Sequence, residues 1–148
     1  MGAEGGVQED LPMLRHQAGA LLSDLQVVQQ QWGALWEQLA SVDWGTLAQQ
    51  GKLAGIPKFR IERTIADARN VLANGLQDLE AILRLAQQPG DDIAERLQAL
   101  IRLYTDAPGD LRTRQQRLAA WLAAIDEAML QRGEAPLTAQ LRSTPQAS

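Results

Sequence analysis

The 148-residue chain contains no cysteine, which excludes disulfides, thiolate metal sites and cysteine nucleophiles together. It holds one histidine, His16, and few hydroxyls, so the converging acids, bases and nucleophiles that an enzyme needs are scarce. His16 itself reads as a half-exposed helix residue beside Arg15. No Glu is followed by His three residues later, which removes the spacing of di-metal helical bundles. The glycine loops that cradle phosphates are missing as well. No apolar run approaches the roughly 18 residues of a spanning helix. The stretch from Met1 to Asp10 is acidic where a signal peptide would be basic and then apolar. The Met1-Gly2 opening has Gly6 where a myristoylation site requires Ser or Thr. From these absences the expectation is a cytoplasmic protein that is not an enzyme, with no cofactor, no metal, no small-molecule substrate and no membrane.

What is present points to helices. Apolar residues make up 45% of the chain and charged ones 22%, ordinary values for a folded protein, so the length suits one domain over 11–132. From Leu14 the apolar positions run through Ala18, Leu21, Leu25, Val28, Trp32, Leu35, Leu39 and Val42, alternating four and three apart, as in a heptad seam. Leu11, Leu22 and Trp36 widen that stripe toward the breadth of a bundle helix. A second face runs Ile61, Ile65, Ala68, Leu72, Leu76, Leu79, Leu83 and Ala86, with Pro57 suited to the first turn. Asn74-Gly75 is a turn signal inside it, but the apolar phase carries across, and the glycine there would let a neighbouring helix come close. Pro89-Gly90 and Pro108-Gly109 then delimit a third helix with stripe Ile93, Leu97, Leu100, Ile101 and Tyr104. Asp110 is the expected N-cap of a fourth, with Leu111, Leu118, Trp121, Leu122, Ile125 and Met129 inward and Gly133 at its stop.

The pattern predicts an all-α protein. The expected architecture is a four-helix bundle on a long antiparallel helical hairpin, with helices at 11–42, 57–87, 91–105 and 110–131 and mobile tails at 1–10 and 133–148. Asp91, Asp92 and Glu95 gather near the third helix start, where capping is the expected role and cation binding the alternative.

Two binding functions follow. The heptad stripe favours a helical protein–protein interaction module: an adaptor, chaperone or assembly subunit that binds a protein partner or itself, as a homodimer. Trp32, Trp36 and Trp44 are its candidate anchors, with burial in the core as the competing reading for the tryptophans. The alternative is nucleic-acid binding. A formal net charge of −4 argues against a wholesale basic coat, yet Lys52, Lys58, Arg60, Arg63 and Arg69 cluster against only Glu62 and Asp67. Gly51, Gly55, Ile56, Ile61 and Ile65 have the spacing of a turn followed by a helix, and over 46–65 the chain resembles the helix-turn-helix of lactose-repressor-like regulators. The resemblance implies that Lys58, Phe59, Arg60 and Arg63 lie on or near the groove-facing side. Gln50 stands where that family buries an aliphatic residue, and an interhelical linker with a basic tip explains the same segment.

Overall fold

The computed structural model describes residues 2–87, 90 and 92–143. The fold is all-α, and no strand occurs among the described residues. The elements are α1 (Gly2–Val28), a π-helical turn (Gln29–Gly33), α2 (Ala34–Ala40), α3 (Trp44–Gln49), α4 (Lys58–Leu85), α5 (Ile93–Tyr104), α6 (Ala107–Gln131) and α7 (Leu137–Ser143). Among the described residues, no helix is long and apolar enough to cross a membrane. The chain divides into two compact units, residues 1–33 with 70–112, and 34–69 with 113–148.

The first unit is α1, the later part of α4, α5 and the start of α6. Leu14, Ala18, Leu21, Leu25 and Val28 are buried as the heptad requires, and α1 packs along α5. α4 runs unbroken through Asn74 and Gly75. Its buried row is Ile61, Ile65, Ala68, Leu72, Leu79 and Ile82, continued just past its end by Ala86, with buried Gly75 completing the four-and-three rhythm between Leu72 and Leu79. Leu76 and Leu83, expected in that row, are half-buried at its edge. A Cβ on Gly75 would lie 2.8 Å from Leu25 Cδ1 and 3.4 Å from the Tyr104 ring, so the close approach of α1 and α5 to α4 depends on the missing side chain.

The second unit holds α2, α3, the start of α4, most of α6, and α7. The expected helix over 11–42 differs here for a physical reason. The π turn at Gln29–Gly33 takes about one residue more than an α turn, and burial returns after it at Trp36 rather than at Leu35. Trp36 and Leu39 are buried, whereas Trp32 and Leu35 are half-buried. The expected linker holds α3, capped by Asp43, whose carboxylate accepts from Thr46 N–H (3.0 Å) and Thr46 Oγ1 (2.7 Å). These bonds, the side-chain one first, hold the Asp43 carboxyl below its ordinary pKa. Gly51 (φ +69°) and Gly133 (φ +77°) close α3 and α6 with paired i→i−3 and i→i−5 backbone bonds, for which left-handed glycine is the usual residue.

The last long helix starts earlier than the sequence implies. α6 begins at Ala107, so Asp110 lies in its first turn instead of capping it, because proline in a first turn forfeits no intrahelical bond. Asp92 sits at the α5 cap without a side-chain cap bond and pairs with Arg96 at 3.5 Å instead, while Asp91 lies outside the described residues. α7 falls within the stretch expected to be a mobile tail, with Leu137 and Leu141 buried and Thr138 bonded to Asp126 through its N–H and hydroxyl.

Candidate functional site

Two of the three candidate tryptophan anchors are inside the second unit. Trp36 is fully buried, and its Nε1 donates to Gln115 Oε1 at 2.6 Å. Trp44 is 3% exposed and donates to the Leu39 carbonyl at 3.0 Å. Both indoles are therefore committed to the interior, Trp36 across to α6 and Trp44 back to the end of α2, whereas Trp32 is half-buried at the π turn.

The basic cluster divides in a similar way. Lys52 pairs with Glu134 at 2.8 Å, tying the loop after α3 to the end of α6, and Arg132 adds a bond to the Gln50 carbonyl at 3.1 Å. Arg69 grips Glu37 with two bonds of 3.0 and 2.9 Å, and that hydrogen-bonded carboxylate raises the guanidinium's pKa. These two cations are structural ties. Lys58, Arg60 and Arg63 stay exposed, beside Phe59 at 64% exposure.

The helix-turn-helix geometry is not reproduced at the turn. Eight residues, 50–57, separate α3 from α4, and three of them, Gly51, Ala54 and Gly55, have left-handed φ. A helix-turn-helix pair uses a turn of three or four residues. Ile61 and Ile65 are nonetheless buried on α4, while Ile56 is half-buried.

The fold brings to the exposed arginines a set of residues that the sequence reading left out. Arg60 on α4 and Arg117 and Trp121 on α6 line one cleft of about 440 Å³. Further along, Asp67 on α4 lies 3.8 Å from Arg63 Nε and 3.7 Å from Arg114 Nη1 of α6. The signal was available: α6 carries Arg112, Arg114 and Arg117, and no acid stands between Leu111 and Ile125. Its positions 114, 117 and 121 recur at helical spacing, as do 60, 63 and 67 on α4. A second groove of about 420 Å³ is lined by Val42, Leu47, Leu137 and Leu141 with Gln38, Asp43 and other polar groups. Among the described residues, no three His, Asp or Glu side chains gather as a metal site.

No protein-family model, curated protein or solved structure matches the chain.

Proposed function

We propose that this protein is a helical interaction module that works by binding other proteins, a second copy of itself foremost. The observation that supports this is the segregation of charge between the two units. The first carries eleven acids against five arginines, net −6, and the second nine lysines and arginines against seven acids, net +2. The apolar seams are spent inside each unit, so association falls to the charged outer surface. Opposite fields steer encounter, and an acidic unit meeting a basic unit of the second copy, reciprocally about a two-fold axis, closes as a homodimer. Half-buried Trp32 and exposed Met13 and Leu103 supply the apolar contacts such an interface needs.

Solution mass measured from low to high salt tests this. The expected result is a dimer at low ionic strength that dissociates as salt shortens the range of surface charges to a few ångströms. A monomer at every concentration and every salt sinks the self-association reading. The duplex-DNA reading retains one supporting observation, the outward Lys58, Arg60 and Arg63 at the start of α4.

A further inference from the structure

We propose that the cleft lined by Arg60, Arg117 and Trp121 binds a nucleotide, free or within a single-stranded nucleic acid. The two guanidiniums hold its phosphate and the indole receives its base.

Two like charges placed in one cleft raise each other's energy, and an anion between them relieves it. Neither Arg60 nor Arg117 has an ion pair among the described residues, and no carboxylate among them lines the cleft. Both side chains are exposed, so their planar forks are open to a phosphate's paired oxygens. Asp67, seven residues along α4 from Arg60, is engaged by Arg63 and Arg114 at 3.8 and 3.7 Å, so four arginines, Arg60, Arg63, Arg114 and Arg117, gather on α4 and α6 around that carboxylate. Positions 60 to 67 span seven residues, about 10 Å of helix. That length accommodates successive phosphates of one strand rather than a single small anion.

Trp121 makes the site more than an anion hole. It is half-buried on α6, and its lining position gives the cleft an aromatic wall. Stacking on such a wall tolerates any base, as in proteins that bind single strands without sequence preference. Duplex DNA keeps its bases stacked on one another and gains nothing from the indole. The nucleotide site shares Arg60 with the segment at 46–65 but takes its other two residues, Arg117 and Trp121, from α6, and it does not depend on the protein-interaction reading.

The test uses the full chain and a fluorescein-labelled oligodeoxythymidine of about ten nucleotides, a length within the site sizes of such proteins. Anisotropy should rise to saturation at low salt, and the affinity should fall as salt increases. Combining Arg60→Gln with Arg117→Gln should weaken binding about ten-fold and reduce the salt slope by about 1.4, the effect of losing two phosphate contacts on a single strand. Arg15→Gln combined with Arg102→Gln, two neutralisations of exposed arginines in the first unit, is the charge-matched control and should leave binding unchanged. Trp121→Leu should lose about five-fold or more and abolish any quenching of tryptophan fluorescence by the oligonucleotide, with circular dichroism confirming retained helix. Competition by adenosine monophosphate identifies a free nucleotide as a ligand, and its failure beside oligonucleotide binding assigns the strand. Three results overturn the proposal: no salt-dependent binding, loss in the Arg15 and Arg102 control equal to that in the Arg60 and Arg117 variant, or equal displacement by polyglutamate. The last would make the cleft a dock for acidic protein, and it would leave the solution-mass result untouched.

Discussion

The two units solve the same packing problem with different means. In the first, α4 meets its neighbours through an omission: Gly75 lets Leu25 and the Tyr104 ring come against the helix, and Tyr104 Oη donates to Asp78 at 2.7 Å. In the second, polar bonds hold the elements together. Trp36 is tied to Gln115, Glu37 to Arg69, Lys52 to Glu134 and Asp126 to Thr138. Close backbone approach gives tight packing but little directional information, whereas a buried hydrogen bond fixes register because leaving it unmade is costly. The difference teaches that the acidic unit owes its closest contact to a missing side chain, whereas the basic one adds several polar ties to its apolar core, with Lys52 and Arg69 among the groups so engaged.

The comparison breaks most visibly at Trp36. Trp36→Ala should destabilise the second unit by about 3–5 kcal/mol, since it empties a fully buried site and strands the Gln115 carbonyl. Chemical denaturation read by circular dichroism measures it, and a cost near zero would show that the indole is not a core cross-link. Gly75→Val comes next, at about 2 kcal/mol, because the added carbons meet Leu25 and Tyr104 and outweigh the gain in helix propensity. Removing the Glu37–Arg69 tie should cost less. A double-mutant cycle with Glu37→Ala and Arg69→Ala is expected to give a coupling under about 1 kcal/mol, as for other solvent-exposed ion pairs.

The smallest effect at neutral pH belongs to Tyr104, the chain's only tyrosine, whose pKa is pushed up to about 12 by burial first, then by its hydrogen bond to Asp78 and that carboxylate's charge. The folded chain therefore holds the phenol proton where the unfolded chain has already lost it. The stabilisation is full below pH 10 and declines as pH rises from about 10 to about 12. Ultraviolet titration of tyrosinate in the folded protein should show the raised value. Asp78→Asn should lower it without restoring the ordinary one, because burial remains. A wild-type midpoint near 10 would contradict the close packing assigned to the first unit.

The helices were legible in the sequence because leucine, isoleucine and valine at four-and-three spacing leave one way to hide from water. What that spacing misses has one cause, since a hydrophobic pattern marks the seam through apolar side chains alone. Gly75 and Gln115 both occupy seam positions and neither registers as hydrophobic, so the apolar pattern points to Leu76 instead of Gly75 and passes over Gln115 altogether. The π turn was hidden for a related reason, since an extra residue in one turn leaves composition unchanged and shows only as a late return of burial at Trp36. Of the site, the α4 arginines were visible as a local excess of charge. Their α6 counterparts lie more than fifty residues away in sequence, and only the packing of α4 on α6 brings Arg117 and Trp121 to Arg60.

The docking of α7 has a practical bearing on how fragments of this protein should be cut. Compositional reasoning would trim the chain at Gly133, discarding a polar, proline-bearing end. Such a cut would uncover the wall formed by Val42 and Leu47, strip away Leu137 and Leu141, and leave the Asp126 carboxylate without its two donors from Thr138. A fragment ending at Gly133 would expose fresh apolar surface of its own, and any stickiness it showed would report the cut rather than the intact chain.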